Sequence, residues 1–413
     1  MKKISVSGLI KMLFVFLILA DTCFLTLPGL SKAFSIACTY HDKKLCAVVI
    51  VLMLIISLLY NPKIQIRYNM NDRLLHMYFF MVSIVFFGSL LMYKTPTVSF
   101  VAQYYYYFIP IAVFFLLKRY ETNGIFEFVV NIIILVGTIY AAYSIISYLL
   151  YETSRVVIMN PELQLYSKRN GHLRLVRAAD FIAISTLLSL IKSFAYEKER
   201  KFKYYCGAIL GMISLFIVTQ TRIYQISILA TAIVLIFKRQ KKLIDKLCVA
   251  VLMLICAALM MTSIQEFISS FTEYSFSTEN RLLAYTYYLS HFFDHYFWGL
   301  GLVPSRTHYN VLHGPTEQYF LSDCGYIAFV SIYGVLGVVF LILIGTYIFK
   351  HLIRVKKNKP DEVNMMICGI SVYFIISNWS VGLIDPQRCV MSSILLACLD
   401  YYIKIEAQTY QNM

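Results

Sequence analysis

Long apolar stretches recur along almost the whole chain, and short polar segments separate them. The hydrocarbon core of a bilayer is about 30 Å thick, so a helix needs roughly 20 apolar residues to cross it. The pattern therefore predicts an all-α, polytopic membrane protein that forms a single membrane domain over residues 1–413. Twelve spans are predicted, at about residues 9–27, 45–60, 74–92, 100–117, 125–150, 178–195, 204–220, 223–237, 247–263, 325–349, 363–384 and 389–403.

One apolar stretch, 204–237, can be divided in two ways. It reads either as a single broken helix or as two short spans. The polar run Thr219-Gln220-Thr221-Arg222 lies at its middle. Because unpaired polar groups are costly inside hydrocarbon, this run favours two spans with a break between them.

The composition supports a membrane protein over a soluble one. Hydrophobic residues make up 59% of the chain and charged residues only 14%, with a mean hydropathy of +0.69, whereas soluble domains carry about 25% charged residues. The net charge is +15. In a membrane protein such an excess reflects the positive-inside rule and anionic headgroups, so we expect no nucleic-acid partner.

The distribution of cations gives the orientation and a first functional hint. With the N-terminus inside, 23 cations fall in inner segments and 13 in outer ones, which predicts that both termini are cytoplasmic. Eight of the 13 outer cations are Arg, whereas 17 of the 23 inner ones are Lys. Arginine binds phosphate with a planar fork. The outer face is therefore expected to bind an anion, with chance in small numbers as the alternative.

Two outer segments are unusually long, at residues 152–177 and 264–324. Loops of this length are usually functional or disordered, and the aromatic content of 264–324 argues against disorder. Between Arg281 and Trp298 the apolar positions fit one helical face, which predicts a helix on the membrane surface. We expect the two segments together to cap an active site.

Sequence motifs for nucleotide, metal or redox chemistry are missing from the chain. It contains no GxxxxGK[ST], HExxH or GxGxxG motif. An ATP-driven or redox role therefore has no support, and we expect neither a cofactor nor a metal site.

The segment 281–337 carries an ordered set of motifs. Arg281 is followed by a Gly-x-Gly turn, a histidine, an Asp-x-Gly and a Tyr-Gly-x-x-Gly, and Thr219–Arg222 precedes them as a Thr-x-Thr-Arg run. Their order and spacing resemble the signature of the O-antigen polymerase and O-antigen ligase superfamily, most closely the Wzy-type capsular or exopolysaccharide polymerases. The superfamily histidine lies nine or ten residues before the acidic-x-Gly, which favours His313 over His308. The usual His-Asn pair is absent, since Gly314 follows His313.

The resemblance implies a metal-independent glycosyltransferase at the outer face of the bacterial cytoplasmic membrane. Such a polymerase moves a glycan from undecaprenyl pyrophosphate onto another lipid-linked repeat unit. The implied partners are the lipid-linked oligosaccharide, membrane lipid, a chain-length regulator and a flippase.

The resemblance also implies roles for individual residues. His313 would orient or deprotonate the acceptor hydroxyl, and Arg222 and Arg281 would clamp the pyrophosphate; as simpler alternatives, Arg222 is a snorkelling anchor and Asp323 a helix cap. Further candidates for substrate binding or for a second base are Arg155, Arg169, Arg174, Arg177, Arg306, Glu317, Asp323 and His308.

Three other functions stay open at this point. A ligase of the same superfamily would use the same chemistry with a different acceptor. A lipid-linked oligosaccharide flippase also has about twelve spans, but such carriers have short outer loops and charges within their spans. A membrane scaffold or sensor is the third, although no soluble signalling domain is attached.

Overall fold

The computed structural model describes residues 6–22, 24, 43–60, 70–156, 158, 166–169, 172–175, 178–195, 201–239, 275–305, 307–354, 362–382, 385 and 387–411. The described residues up to Ala195 form helices and one small hairpin. Its helices are α1 (Val6–Asp21), α2 (Lys44–Tyr60), α3 (Met70–Tyr93), α4 (Thr97–Tyr104), α5 (Ile109–Arg119), α6 (Ile125–Ser154) and α7 (Ala179–Ala195). Short 3-10 turns at Tyr105–Phe108 and Glu121–Asn123 follow α4 and α5.

The second half is also helical. Its helices are α8 (Lys201–Ile213), α9 (Arg222–Arg239), α10 (Ser275–Asp294), α11 (Tyr309–His313), α12 (Gly325–Arg354), α13 (Glu362–Ser377) and α14 (Cys389–Gln411). A π-helix at Ser214–Thr219 continues α8, and a 3-10 turn at Leu321–Cys324 leads into α12.

These helices confirm the predicted all-α membrane fold. Five segments are long and apolar enough to cross a membrane, namely Arg73–Tyr93, Thr97–Arg119, Ile125–Ser154, Phe202–Thr219 and Leu321–Ile353. Helices also occupy the other predicted spans, except 247–263, which lies outside the described residues. The span predicted at 100–117 is divided by the 3-10 turn at Tyr105–Phe108.

The predicted break between spans seven and eight is present. The π-helix ends at Thr219, Gln220 adopts a left-handed conformation with φ 49°, and α9 begins at Arg222. A left-handed residue cannot continue a right-handed helix. The break therefore brings the side chains of 219–222 to one end of the bundle.

Helix α7 lies at the centre of the bundle. It packs against α6, α8, α9 and α13, and every side chain from Ala179 to Ser193 is buried. A helix that is apolar on all sides is stable only where neighbours surround it. Its two ends carry Asp180 and Lys192, and both of these buried charges have partners.

The ion pairs join helix ends that were predicted to lie on the same side of the membrane. On the predicted outer side, Asp21 contacts Lys43 at 2.7 Å and Asp180 contacts Arg388 at 3.0 Å. On the predicted inner side, Lys192 lies 2.7 Å from both Glu127 and Glu362, and Lys404 lies 3.2 Å from Glu121. These contacts support the predicted alternation of the helices across the membrane.

Helix α12 is broken at Gly334, and the Gly-x-Gly turn at residues 299–301 packs against the break. Gly334 has φ 58° and ψ −145°. The freed carbonyls of Ser331 and Ile332 accept hydrogen bonds from the N–H groups of Leu300 (2.7 Å) and Gly301 (3.1 Å). A Cβ on Gly334 would lie 2.5 Å from the carbonyl oxygen of Phe297. The glycines of both motifs thus let two backbone segments touch and satisfy each other's polar groups.

A two-stranded hairpin is the exception to the all-helical expectation. Strands β1 (Tyr166–Arg169) and β2 (His172–Leu175) pair antiparallel, with Arg169 opposite His172. Asn170 and Gly171, where the sequence predicts a turn, lie between the strands and outside the described residues. The hairpin belongs to the long segment 152–177 and carries Arg174.

Candidate active site

A cavity of about 430 Å³ opens on the predicted outer side of the bundle, and we call it the polar cavity because several polar side chains lie among its largely apolar lining. Three parts of the chain form it: the aromatic run that joins α4 and α5, the segment between α10 and the middle of α12, and the short segment between α13 and α14. Its polar lining includes Gln103, Tyr106, His313, Asp385 and Gln387. The cavity thus contains His313, one of the predicted catalytic residues.

His313 is held in one tautomer. It ends the short helix α11, and its Nδ1 lies 3.0 Å from the carbonyl oxygen of Tyr319. A carbonyl oxygen can only accept, so Nδ1 carries the proton in the neutral ring and Nε2 has the lone pair. The rings of Tyr309 and Phe320 lie 4.1 and 5.3 Å from the imidazole and fix its plane. His313 is therefore arranged as a base.

Asp385 is the carboxylate that the cavity presents together with His313. The N–H of Gln387 donates to its Oδ1 at 2.8 Å. Burial raises the pKa of Asp385 to about 6, and the nearby charge of Asp323 acts in the same direction. The hydrogen bond from Gln387 and the charges of Arg388 and Lys43 oppose this rise. A carboxyl group with a pKa near neutrality can exchange protons under physiological conditions.

Two arginines surround Asp323 beside the cavity. Nη2 of Arg281 lies 3.9 Å from Oδ2 of Asp323, and both side chains are half exposed. Arg174 also lies within electrostatic reach of Asp323, and its Nε donates to the carbonyl oxygen of Thr219 at 2.9 Å. The structure thus brings the hairpin, the 219–222 break, α10 and the Asp-x-Gly motif to one place. Two guanidinium groups there can bind an anion bidentately.

Arg222 lies next to this group in the chain. It is the first residue of α9 and half-buried, three residues after the carbonyl that holds Arg174. Two residues further on, the ring of Tyr224 lies 5.9 Å from the guanidinium carbon of Arg388. The segment Thr219–Tyr224 thus contacts Arg174 at its first residue and Arg388 at its last.

Other predicted site residues lie apart from the cavity. His308 packs its ring 4.8 Å from Tyr93, and its Nδ1 lies 2.9 Å from the hydroxyl of Thr307. Arg155 is 65% exposed, lies over the ring of Tyr151 and is 4.0 Å from Glu152. Glu317 is exposed in a tight turn with φ 57°. Arg177, Arg306 and the side chain of Arg169 lie outside the described residues.

Two candidate functional residues, Asp385 and Arg388, are not indicated by the motifs in the sequence. Asp385 lies in a four-residue segment between two predicted spans and belongs to no recognised motif. Arg388 is one of the 13 cations predicted on the outer side, but nothing in the sequence indicates that it is buried and bonded to Asp180. The only signal in the sequence is that a carboxylate and an arginine share such a short outer segment.

Comparison with known proteins agrees with the motifs. Residues 207–342, about a third of the chain, match the model of a family described as O-antigen ligase (Wzy_C). The matched region begins in α8 and ends in α12, so it contains the 219–222 break, Arg281, His313 and Asp323. No curated protein matches the chain. Together with the apolar helices, the match supports a membrane enzyme of the O-antigen ligase/polymerase type.

Proposed function

We propose that this protein is a polysaccharide polymerase at the outer face of a bacterial cytoplasmic membrane. It transfers a glycan from undecaprenyl pyrophosphate to a hydroxyl of a second lipid-linked repeat unit. The observation that carries this proposal is the position of His313, which lines the polar cavity beside an arginine pair while its Nδ1 is held by the carbonyl oxygen of Tyr319. Both the histidine and Arg281 lie within the segment that matches the O-antigen ligase family.

The proposed reaction needs one base and one anion site. The bond between C1 of the donor sugar and the pyrophosphate oxygen breaks, and its electron pair leaves with the pyrophosphate. The acceptor oxygen forms the new bond to C1, and its proton moves to Nε2 of His313. As the ring becomes cationic, its Nδ1–H donates more strongly to the carbonyl of Tyr319, which stabilises the charge.

Arg281 and Arg222 are proposed to hold the departing pyrophosphate, with Arg174 beside them. Fixed cations stabilise the charge that develops on a leaving group, so they supply what a metal ion supplies in other transferases. The contact between Arg281 and Asp323 is long at 3.9 Å, and both groups are half exposed. A pyrophosphate, which carries more charge than the carboxylate, can therefore displace Asp323 from Arg281.

Asp385 is proposed as the partner of His313 in the cavity. With a pKa of about 6 it is mostly ionised at neutral pH. It can then accept a hydrogen bond that orients the acceptor hydroxyl, while His313 takes the proton. The neighbouring Gln387 orients the carboxylate through its backbone N–H.

The orientation and the partners belong to the same proposal. The excess of cations in the loops at the opposite end of the bundle supports cytoplasmic termini. The cavity then faces the exterior, where lipid-linked repeat units arrive after a flippase has moved them. A chain-length regulator is the other expected partner.

A ligase is the second candidate, since the matching family is described as O-antigen ligase. The donor, the arginines and the base would be the same, and only the acceptor would differ. A polymerase extends repeat units on lipid pyrophosphate, whereas a ligase places finished glycan on another acceptor. The product therefore distinguishes the two.

The test uses cells that lack the gene and carry Arg281→Ala, Arg222→Ala or His313→Ala. Arg73→Ala, an exposed arginine on the predicted inner side, is the matched control. We expect the three site variants to accumulate single repeat units on lipid, while the control makes polymer at equal protein level in the membrane. Polymer of normal length in all three would contradict the site. Loss of every outer-face lipid-linked unit in the deletion would indicate a flippase.

A further inference from the structure

A second opening, of about 630 Å³, lies between the last two turns of α3 and the turn that follows α10. Its walls are formed by Val85, Gly88 and Met92 on one side and by residues 294–299 on the other. We call it the α3 crevice. It contains neither the predicted catalytic histidine nor the arginines, so it is distinct from the cavity described above.

Most of the rim of the α3 crevice is apolar and exposed, and Asp294 and His295 form a polar edge on the side of α10. Leu91 is 77% exposed, and the aromatic side chains of Phe293, Tyr296 and Trp298 are between half and three quarters exposed. Ala284 and Tyr288, which are buried and pack α10 onto the protein, lie on the face of α10 that points away from this rim. At the end of a membrane helix, an apolar rim with aromatic rings is in contact with lipid chains just below the headgroups. The crevice is thus open to the membrane.

A single segment of backbone separates the α3 crevice from the polar cavity, and Gly301 lines both. This segment is firmly held. The N–H of Leu302 donates to the hydroxyl of Ser89 at 2.7 Å, and the hydroxyl of Tyr93 donates to the carbonyl of Leu300 at 2.7 Å. The two spaces therefore share a rigid wall, and an amphiphile in the crevice can extend its polar part over that wall into the cavity.

The α3 crevice is far from the arginine pair. Arg281 and Asp294 are 13 residues apart on α10, which corresponds to about 20 Å along the helix axis at 1.5 Å per residue. The donor breaks directly beside its pyrophosphate, so the lipid end of the donor must lie at the arginines. The acceptor keeps its lipid and reacts at a sugar hydroxyl, so its lipid end must lie at a distance from the reacting atoms.

We propose that the α3 crevice binds the apolar chain of the lipid-linked acceptor. The inference rests on the proposed transfer reaction and adds a separate site for the second substrate. The acceptor chain lies against α3 and the aromatic turn, its headgroup rises past Gly301, and its terminal sugar reaches His313. Donor and acceptor thus enter from different sides of the segment 299–303 and meet in the cavity.

Gly88 allows a sharp test. A Cβ at Gly88 meets no atom within 4 Å, and the same holds for Gly345 on α12, outside the crevice. Gly88→Trp therefore fills the crevice without a clash at Cβ, and Gly345→Trp is its matched control. Neither change removes a glycine with positive φ. Met92→Trp is the second blocking variant if Gly88→Trp expresses poorly.

The experiment measures transfer by the full chain in detergent from one fixed donor to two synthetic acceptors. These carry the same repeat unit on a full-length polyprenyl chain or on a chain of two isoprene units. We expect wild type and Gly345→Trp to prefer the long acceptor at least about tenfold in kcat/KM, because burial of a few methylene groups has that effect. In Gly88→Trp the KM for the long acceptor rises, and the preference falls to about twofold or less.

Two results would overturn the inference while leaving the transfer reaction intact. One is a Gly88→Trp protein that transfers glycan and keeps the full preference for the long acceptor. The other is a wild-type protein that transfers glycan and shows no preference for the long acceptor. No transfer by wild type with either acceptor would refute the proposed function itself, and the acceptor site with it.

Discussion

The guanidinium of Arg388 donates from Nε to Oδ1 of Asp180 across 3.0 Å, and both side chains are almost completely buried. The same guanidinium also donates to Oδ1 of Asn378 at 2.9 Å and to the hydroxyl of Ser377 at 3.2 Å. These bonds tie together the ends of α7, α13 and α14. They also fix the short segment that carries Asp385 into the cavity.

Loss of Arg388 is expected to destabilise the fold strongly. Arg388→Met leaves the carboxylate of Asp180 buried without its partner, which costs about 3–5 kcal/mol in comparable pairs. Thermal unfolding in detergent, followed by size-exclusion fluorescence, measures the loss against Arg73→Ala. The double variant Arg388→Met/Asp180→Leu should regain part of the stability because no charge is left unpaired. An unchanged Tm in Arg388→Met would contradict the importance of this pair.

Asp385 gives a stability change that depends on pH. Its folded-state pKa of about 6 lies above the ordinary 3.8, so the neutral carboxyl favours the folded state. This contribution is complete below about pH 4 and is lost as the pH rises through about 6. Asp385→Asn, which is always neutral, should therefore unfold several degrees above wild type at pH 7.5 and close to it at pH 4.

The same residue is expected to limit activity in acid. Transfer by wild type should fall as the pH drops through about 6, because Asp385 becomes protonated. Asp385→Asn should have low activity, and its rate should fall less steeply than that of wild type as the pH drops through about 6, because only the protonation of His313 is left. A mutant with wild-type activity and an identical profile would show that Asp385 does not take part in the reaction.

Asp323 and Arg281 are expected to have opposite effects on the donor. Asp323→Asn removes the anion that competes for Arg281, so the KM for the lipid pyrophosphate donor should fall by up to about fivefold, as for other exposed pairs. Arg281→Ala should lower kcat/KM at least about a hundredfold, since it removes charge stabilisation of the leaving group. Initial rates over a range of donor concentration measure both. A raised KM in Asp323→Asn would indicate that this carboxylate binds sugar instead.

Gly334 tests the junction between the Gly-x-Gly turn and α12. Gly334→Ala adds a Cβ that would lie 2.5 Å from the carbonyl oxygen of Phe297, at a residue with φ 58°. We expect a loss of several kcal/mol. Gly345→Ala, in the same helix with open space around its Cα, should be neutral or slightly stabilising. Equal unfolding temperatures for the two variants would argue against the tight junction.

Hydrophobic pattern and charge predicted most of the fold, because apolar length and helix breaks are local properties of the chain. The break at Thr219–Arg222 and the helix that carries Arg281 are examples, and both are present. The kink at Gly334 was not predicted. Its freed carbonyls are satisfied by Leu300 and Gly301, about thirty residues away in sequence, and no local pattern reports such a contact.

The candidate site could be predicted from the sequence only in part, because long-range contacts bring some of its residues together. Motif order selected Arg281 and His313, and the spacing to Asp323 favoured His313 over His308, which packs on Tyr93 outside the cavity lining. Asp385 lies 72 residues after His313 and lines the same cavity only because α13 and α14 return to it. A contact of that range depends on how the helices pack.

Under the proposed function, this chain alone transfers glycan between lipid-linked substrates. The most direct measurement incubates the purified protein with a single species, a labelled repeat unit on undecaprenyl pyrophosphate, and separates the products by size. We expect wild type to give a ladder of dimers and longer polymers with free undecaprenyl pyrophosphate as by-product, and His313→Ala to leave monomer only. A wild-type protein that is folded and leaves the repeat unit unchanged would contradict the proposed function.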